Sequence, residues 1–235
     1  MLLYIIRHGD PVYETDSLTE KGKLQAEQVG KRMLDAGIDR IFTSPMGRAK
    51  MTAEPACRML GLDYTVEDWA HEVEDDRLTP FPDGVMKSIT NVQNSYYRVN
   101  GNIDIDYGHS LECDGFRESQ MGRAREIIEK GGDEFLERLG YKREDGAYRI
   151  LRPNNEKVAL FCHSVMARTW ISSLLHIPIH LMWAGFSYTH TGVTVIEFKN
   201  YENGLTAPRI LCYSDMSHIY AAQPDDVVYE NKIKI

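Results

Sequence analysis

Two apolar runs, each ending in a histidine, organise the pattern of this chain. Leu2-Leu3-Tyr4-Ile5-Ile6 is apolar at every position and stops at Arg7-His8-Gly9. Uninterrupted runs of this kind predict central strands buried on both faces. Val158-Ala159-Leu160-Phe161-Cys162 repeats the pattern and stops at His163. Between and beyond these runs the period changes. Ala26, Val29, Met33 and Ala36 recur at helical spacing, which predicts a helix from a cap near Thr19 to Ala36, with Gly37 as its stop. Ile38 to Thr43 reads as a second strand. Pro45 suits the first turn of a helix that carries Arg48 and runs to about Leu60, where Gly61 ends it. Tyr64-Thr65-Val66 reads as a third strand. The order strand-helix-strand-helix-strand predicts a parallel sheet with right-handed crossovers.

Residues 73–155 break that rhythm. They are polar and open on an acidic run (Glu72, Glu74, Asp75, Asp76). They hold one long helical pattern through Met121, Ala124, Ile128, Phe135 and Leu139, with Gly131-Gly132 as a candidate break. This segment is read as an insertion, a helical cap over the site and not a separate domain. The core resumes with residues 158–162 and a helix over Val165 to Leu175. A short amphipathic piece over His180 to Ala184 and a strand from Thr191 to Phe198 follow. Asn203-Gly204 marks a hairpin turn that returns residues 205–213 as an edge strand. The expected architecture is a single three-layer α/β/α domain. Its sheet is mostly parallel with an antiparallel edge, its core is about 1–72 and 156–215, and its cap is about 73–155.

The chain has 235 residues, 43% hydrophobic and 26% charged, the balance of an ordinary globular protein. A net charge of −8 disfavours non-specific attraction to nucleic acid or anionic membranes. No apolar run reaches the ~18 residues that span a bilayer. Cys57, Cys113, Cys162 and Cys212 are scattered, and no secretory signal stands in front of them. They read as reduced thiols of a cytoplasmic protein. No metal or cofactor motif is present, so none is expected. Oligomeric state is not legible.

In open parallel sheets, ligands bind beyond the carboxyl ends of the strands. The predicted order gathers Arg7, His8, Arg48 and His163 at one such edge. Two guanidiniums and two imidazoles make a site for a dianionic, oxygen-rich group, since arginine forks match phosphate geometry. Ser164 opens the helix after His163, whose N-terminus adds N–H donors, and is counted with the phosphate-binding residues. Phosphoryl transfer needs positioning and charge neutralisation above all. A neutral imidazole can attack phosphorus in line, and a carboxylic acid opposite can protonate the departing alcohol. Glu72, just after the third strand, is the best-placed acid, although its acidic surroundings also fit a solvated loop face.

These residues resemble the histidine phosphatase superfamily, the group containing the cofactor-dependent phosphoglycerate mutases and the histidine acid phosphatases. The resemblance rests on four segments: Leu3-Tyr4-Ile5-Ile6-Arg7-His8-Gly9, Leu18-Thr19-Glu20-Lys21-Gly22, Thr43-Ser44-Pro45-Met46-Gly47-Arg48-Ala49, and Leu160-Phe161-Cys162-His163-Ser164. It implies that His8 is the phosphorylated nucleophile, that Arg7, Arg48 and His163 line the phosphate pocket, and that Glu72 is the proton donor. Two departures stand out. After arginine, histidine and glycine the mutase branch usually carries glutamate or glutamine, then serine, where this chain has Asp10-Pro11-Val12-Tyr13. Glycine commonly follows the second histidine, where this chain has Ser164. Both favour a phosphatase over a mutase.

The expected activity is therefore metal-independent hydrolysis of a small phosphorylated metabolite, with inorganic phosphate as product. A mutase and a non-catalytic phosphate-binding module are the alternatives. Cys162, followed at the right spacing by Arg168-Thr169, also matches the cysteine phosphatase loop. That loop needs close backbone approach to phosphate, usually through glycine, and Val165 and Met166 are bulky. Cys162 reads instead as a buried strand residue. Asn102, Asp104 and Asp106 resemble a calcium loop, but glycine arrives late, at Gly108, and Cys113 stands where glutamate is needed. Pro178 between His176 and His180 argues against a helical zinc pair. His190 lines the pocket or caps its strand, with nothing in the pattern to choose, and Tyr13 is a candidate substrate contact.

Overall fold

The structure, a computed structural model, describes residues 1–73, 78–80, 86–88, 95–99, 101–113, 115–117 and 119–222. The acidic run Glu74, Asp75 and Asp76 lies outside the described residues. In chain order the strands are β1 (Leu2–Arg7), β2 (Pro11–Val12), β3 (Ser17–Leu18), β4 (Arg40–Thr43), β5 (Tyr64–Val66), β6 (Leu78–Pro80), β7 (Met86–Ser88), β8 (Tyr141–Glu144), β9 (Ala147–Ile150), β10 (Lys157–Cys162), β11 (Val193–Glu197), β12 (Leu205–Thr206) and β13 (Arg209–Asp215). The central sheet has the order β13-β11-β1-β10-β4-β5. In it β1, β10, β4 and β5 run parallel, and β11 and β13 form the antiparallel edge.

Alternation along β1 and β10 splits the core in two. Leu3, Ile5, Leu160 and Cys162 face one cluster, and Ile6, Ala159 and Phe161 face the other. Two helices, α1 (Glu20–Ala36) and α2 (Gly47–Leu60), close the second face through Val29, Met33, Ala53 and Ala56. On the first face lie α3 (Met121–Arg138) and α4 (Ser164–Leu175), through Phe135, Leu136, Met166 and Trp170. The expected three layers are therefore present.

The predicted stripe of α1 is its buried face. The Thr19 side chain caps it by accepting from the Gly22 N–H, and Gly37 ends it at φ +66°. The start of α2 differs from expectation. Pro45 stays outside the helix, because Met46 is the capping residue and Gly47 the first helical one.

Gly131 and Gly132 do not interrupt α3. A Cβ on Gly131 would meet Trp69 at 2.2 Å, and one on Gly132 would meet Trp170 Nε1 at 2.2 Å. The pair lets two indole rings approach the helix backbone, so α3 packs into the core beside α4. Residues 95–117, where described, run in short 3-10 turns. Their Tyr97, Cys113 and Phe116 pack against Val165 at the start of α4, and against Ile179 and Trp183 of α5 (Ile179–Gly185).

The expected Asn203-Gly204 hairpin needs correction. Leu205–Thr206 does not continue an edge strand of the main sheet. It pairs instead with Ala147–Ile150 in a small sheet completed by Tyr141–Glu144. The edge strand β13 starts only at Arg209, and α6 (Ser217–Ala222) is the last element among the described residues. A two-residue turn signal does not reveal which partner the returning strand chooses.

Candidate active site

Register places the two histidines side by side. The parallel ladder pairs Arg7 with Cys162, so the next residue of each strand leaves the sheet at the same level, and the His8 N–H donates to the Cys162 carbonyl at 2.9 Å. The ring centroids of His8 and His163 lie 5.2 Å apart. Both residues are buried.

His8 Nδ1 stands 2.7 Å from the Gly9 carbonyl oxygen. A carbonyl only accepts, so Nδ1 carries the proton and Nε2 keeps its lone pair. Burial pushes the His8 pKa well below the ordinary 6.5, and the charge of Arg7 lowers it further. His163 is pushed down in the same way, by burial first and then by His8 and Arg48. Its Nε2 lies 2.7 Å from Ser44 Oγ, at the end of β4. Both rings are thus neutral near pH 7, the form in which an imidazole is a nucleophile.

Arg7 is the last residue of β1, and its guanidinium donates to the Tyr188 carbonyl. The Tyr188 hydroxyl in turn donates to the Ile5 carbonyl at 2.8 Å. Arg48 comes from the first turn of α2 and is buried. Its NH1 donates to Asp16 Oδ1 at 2.6 Å, while Asp16 Oδ2 accepts the Gly47 N–H at 2.5 Å. Tyr13 lies beside this pair, its exposed ring 5.5 Å from the Arg48 guanidinium carbon. Arg48 Nε and His163 Nδ1 are buried with no hydrogen-bond partner among the described residues. The Arg48 Nε–H is a donor, and it therefore has capacity for an external acceptor.

Glu72 reaches the same region from beyond β5. Its Oε1 accepts the Met166 N–H at 2.9 Å and the Val73 N–H at 3.0 Å, and its Oε2 accepts the Val165 N–H at 3.3 Å. The carboxyl therefore caps α4, the helix that begins with Ser164 directly after His163. Burial raises its pKa above the ordinary 4.5, against those backbone donors and the charge of Arg7. A cavity of about 380 Å³ adjoins it, lined by Trp69, Glu72, Val73, Arg123, Ala124 and Ile128 among others.

Of the residues beside the site, Asp16 carried no signal in the sequence and His190 was left open between lining the pocket and capping its strand. Asp16 was legible only as a loop residue, because its link to α2 spans 31 positions. His190 lies with its ring centroid 5.5 Å from that of His8, and its Nδ1 faces Asp10 Oδ1 at 3.6 Å. The one sequence signal for it was a histidine just before a core strand.

Other motifs dissolve. Cys162 is fully buried in the core, with its thiol pKa raised by burial and then by Glu72, and the residues after His163 form a helix instead of a phosphate loop. Arg168 turns to the Trp183 and Phe186 carbonyls. His180 Nε2 lies 2.8 Å from the Asn102 carbonyl, while His176 stacks on Tyr107, so the two histidines have separate partners. Asp106 Oδ1 accepts the His109 N–H at 3.0 Å. No group of three or more acidic, histidine or cysteine side chains arranged to hold a metal occurs among the described residues. No helix among them is long and apolar enough to cross a membrane.

Comparison with known proteins agrees with this geometry. Residues 3–78 match the family described as "Histidine phosphatase superfamily (branch 1)". A protein of Salmonella newport named "Probable phosphoglycerate mutase GpmB" is 34% identical over 128 residues. That match spans 47% of this chain and 56% of the relative, so the chain covers little more than half of the curated relatives it resembles. Two solved structures share the fold across nearly their whole length. A phosphoserine phosphatase from Entamoeba histolytica, in complex with 3-phosphoglyceric acid, has a TM-score of 0.58 at 23% identity, covering 93% of this chain and 98% of its own. A mycobacterial glucosyl-3-phosphoglycerate phosphatase has a TM-score of 0.58 at 16% identity, covering 92% of this chain and 99% of its own. Over residues 3–78 the chain is similar to the histidine phosphatase superfamily, and across nearly its whole length it shares the fold of two phosphatases.

Proposed function

We propose that this protein is a metal-independent phosphomonoester hydrolase working through a phosphohistidine on His8, with a small phosphorylated metabolite as substrate. The observation that carries the reading is the buried His8 ring, tied through Nδ1 to the Gly9 carbonyl at 2.7 Å, with His163 beside it at 5.2 Å. That tautomer puts the lone pair on Nε2, the atom that would attack phosphorus.

In the first step the Nε2 pair forms the N–P bond as the ester P–O bond breaks, and Glu72 gives its proton to the leaving oxygen. Arg7, Arg48, His163 and the N-terminus of α4 at Ser164 hold the equatorial oxygens, where charge accumulates. In the second step water attacks the phosphoryl group, its proton passes to the Glu72 carboxylate, and the N–P bond electrons return to His8. The raised pKa of Glu72 supports the donor role, because a neutral carboxyl is what that step needs. The cavity beside Glu72 supports a leaving group seated on that side. A cytoplasmic setting, with no nucleic-acid or membrane partner, belongs to the same reading.

The expected result is that His8→Ala abolishes turnover of an aryl phosphate while EDTA leaves the wild type unaffected. A labelled adduct that is acid-labile and base-stable should be trapped on His8. Full activity of His8→Ala would overturn the assignment. A mutase reading has one observation in its favour, the Salmonella relative's name. Incubation with a phosphoglycerate separates the two, since isomer formation without free phosphate means a mutase.

A further inference from the structure

His190 lies beside the nucleophile, and the proposed mechanism does not use it. His8 is flanked by two imidazoles at nearly equal separations, 5.2 Å to His163 and 5.5 Å to His190. The side chain of His190 is 14% exposed. It reaches His8 from the turn before β11, on the opposite side of β1 from β10, which delivers His163.

Two features hold it there. The first is backbone strain. Thr191, fully buried, adopts φ +55°, a left-handed conformation that a β-branched residue rarely takes. In that conformation its N–H faces the carbonyls of Arg7 and His8 at 3.1 and 3.2 Å, and its hydroxyl donates to the His190 carbonyl at 2.8 Å. The turn that carries His190 is thereby fastened to the residues that carry the nucleophile. The second is charge. Asp10 directs Oδ2 to the Thr19 hydroxyl at 2.7 Å and Oδ1 towards His190 Nδ1 at 3.6 Å. Behind the turn stand hydroxyls, a third imidazole and, next to that imidazole, the Arg32–Asp215 ion pair. Thr189 and Ser214 exchange hydroxyl contacts, and His218 behind Thr191 is neutral, with its pKa lowered to about 4 by burial and then by Arg32.

We propose that His190 is a catalytic residue of this site, donating a hydrogen bond to an equatorial phosphoryl oxygen in the transition state, and that Asp10 is its positioning residue. This rests on the proposed phosphoryl chemistry at His8. A phosphoryl group on His8 presents three oxygens around the N–P axis, and the groups beside the nucleophile ring are those that meet them. His163 does so from one flank and His190 from the other. Asp10 faces Nδ1 and orients the second imidazole, and the ring donates to the anion from Nε2 when that nitrogen carries a proton. Asp10 is also where the chain departs from the mutase pattern, so the departure and the extra histidine form one arrangement.

Orthovanadate, which mimics the five-coordinate transition state, is the probe, and inorganic phosphate is the ground-state control. His190→Ala should weaken vanadate by about tenfold or more and phosphate by much less, because a contact made in the transition state is what is lost. His190→Asn, which keeps a donor, should recover part of the affinity. Asp10→Asn should weaken vanadate as well, by less than His190→Ala, because it disturbs the orientation of the ring and leaves the ring itself in place. Wild-type vanadate affinity in both His190 variants would overturn the proposal. Equal losses for vanadate and phosphate, accompanied by a lowered melting temperature, would also overturn it and assign His190 a structural role. If the wild type itself binds no vanadate and His8→Ala keeps its activity, the hydrolase reading fails as well, an outcome distinct from failure of His190 alone.

Discussion

Asp16 holds Arg48 in place from a loop that precedes it by 32 residues. One carboxylate oxygen takes the guanidinium at 2.6 Å and the other takes the Gly47 N–H at 2.5 Å, so a single side chain caps α2 and aims its arginine. Burial opposes the charge on Asp16, but the hydrogen bonds from Gly47 and Arg48 outweigh it and keep the carboxyl below its ordinary pKa. Asp16→Ala should cost about 1 kcal/mol of stability through the lost cap. It should also cost about tenfold in kcat/KM, ~1.4 kcal/mol of transition-state binding, because Arg48 is no longer directed. Denaturant titration and steady-state kinetics on an aryl phosphate check the two losses separately. A stability loss with unchanged kinetics would show that Arg48 is held by its packing alone.

The pH dependence of turnover follows from two opposed shifts. His8 must be neutral to attack, and its pKa lies well below 6.5, through burial and then Arg7. Glu72 must be protonated to donate, and burial lifts its pKa above 4.5. The kcat/KM profile should be bell-shaped, with an acid limb from His8 below pH 6.5 and an alkaline limb from Glu72 above pH 4.5. Glu72→Gln should remove the alkaline limb and slow esters of poor leaving groups more than activated ones. Stability has its own sign. The buried imidazoles of His8 and His163 bind protons less readily than in the unfolded chain, so the unfolded state gains protons first as pH falls below 6.5. The denaturation midpoint should therefore drop on acidification from that point, and less so in His163→Gln.

Gly132 tests the packing of α3. Replacing it with alanine should raise helix propensity by about 1 kcal/mol in isolation. Here the new methyl would stand 2.2 Å from Trp170 Nε1, in a core cluster that also holds Phe135. Overpacking of this kind costs roughly 1–3 kcal/mol, so the propensity gain should be cancelled or reversed. A urea midpoint higher than that of the wild type would mean that the indole ring has room to retreat.

What the sequence disclosed and what it hid have a common physical basis. Unbroken apolar runs in β1 and β10 leave no choice about burial, and parallel register then carries His8 and His163 to one edge. The caps of α1 were legible because Thr19 and Gly37 act on their own helix. The arrangement around Asp16 was not, because its partners are remote in sequence and no periodicity links a loop carboxylate to a distant helix. His190 was ambiguous for a similar reason. Its orientation is set by Thr191 at φ +55°, and a threonine does not advertise a left-handed turn as a glycine would. Gly131-Gly132 looked like a break because sequence shows helix cost and not the two tryptophans that require the space.

The cavity beside Glu72 sets the last expectation. Its volume of about 380 Å³ suits an ester group of modest size, and its lining combines the apolar faces of Trp69, Val73 and Ile128 with the cation of Arg123. If the leaving alcohol lodges there, filling the space should discriminate by leaving-group size while sparing the phosphoryl cradle. Ala124 lines the cavity from α3 and makes no part of the histidine cluster. Ala124→Phe should raise KM for naphthyl phosphate severalfold, with little change for methyl phosphate, whose leaving alcohol is small. Arg123→Ala should act differently, weakening substrates that carry a carboxylate on the alcohol more than neutral ones. Equal effects of Ala124→Phe on both esters would place the leaving group elsewhere, and equal effects of Arg123→Ala on charged and neutral substrates would remove that cation from recognition.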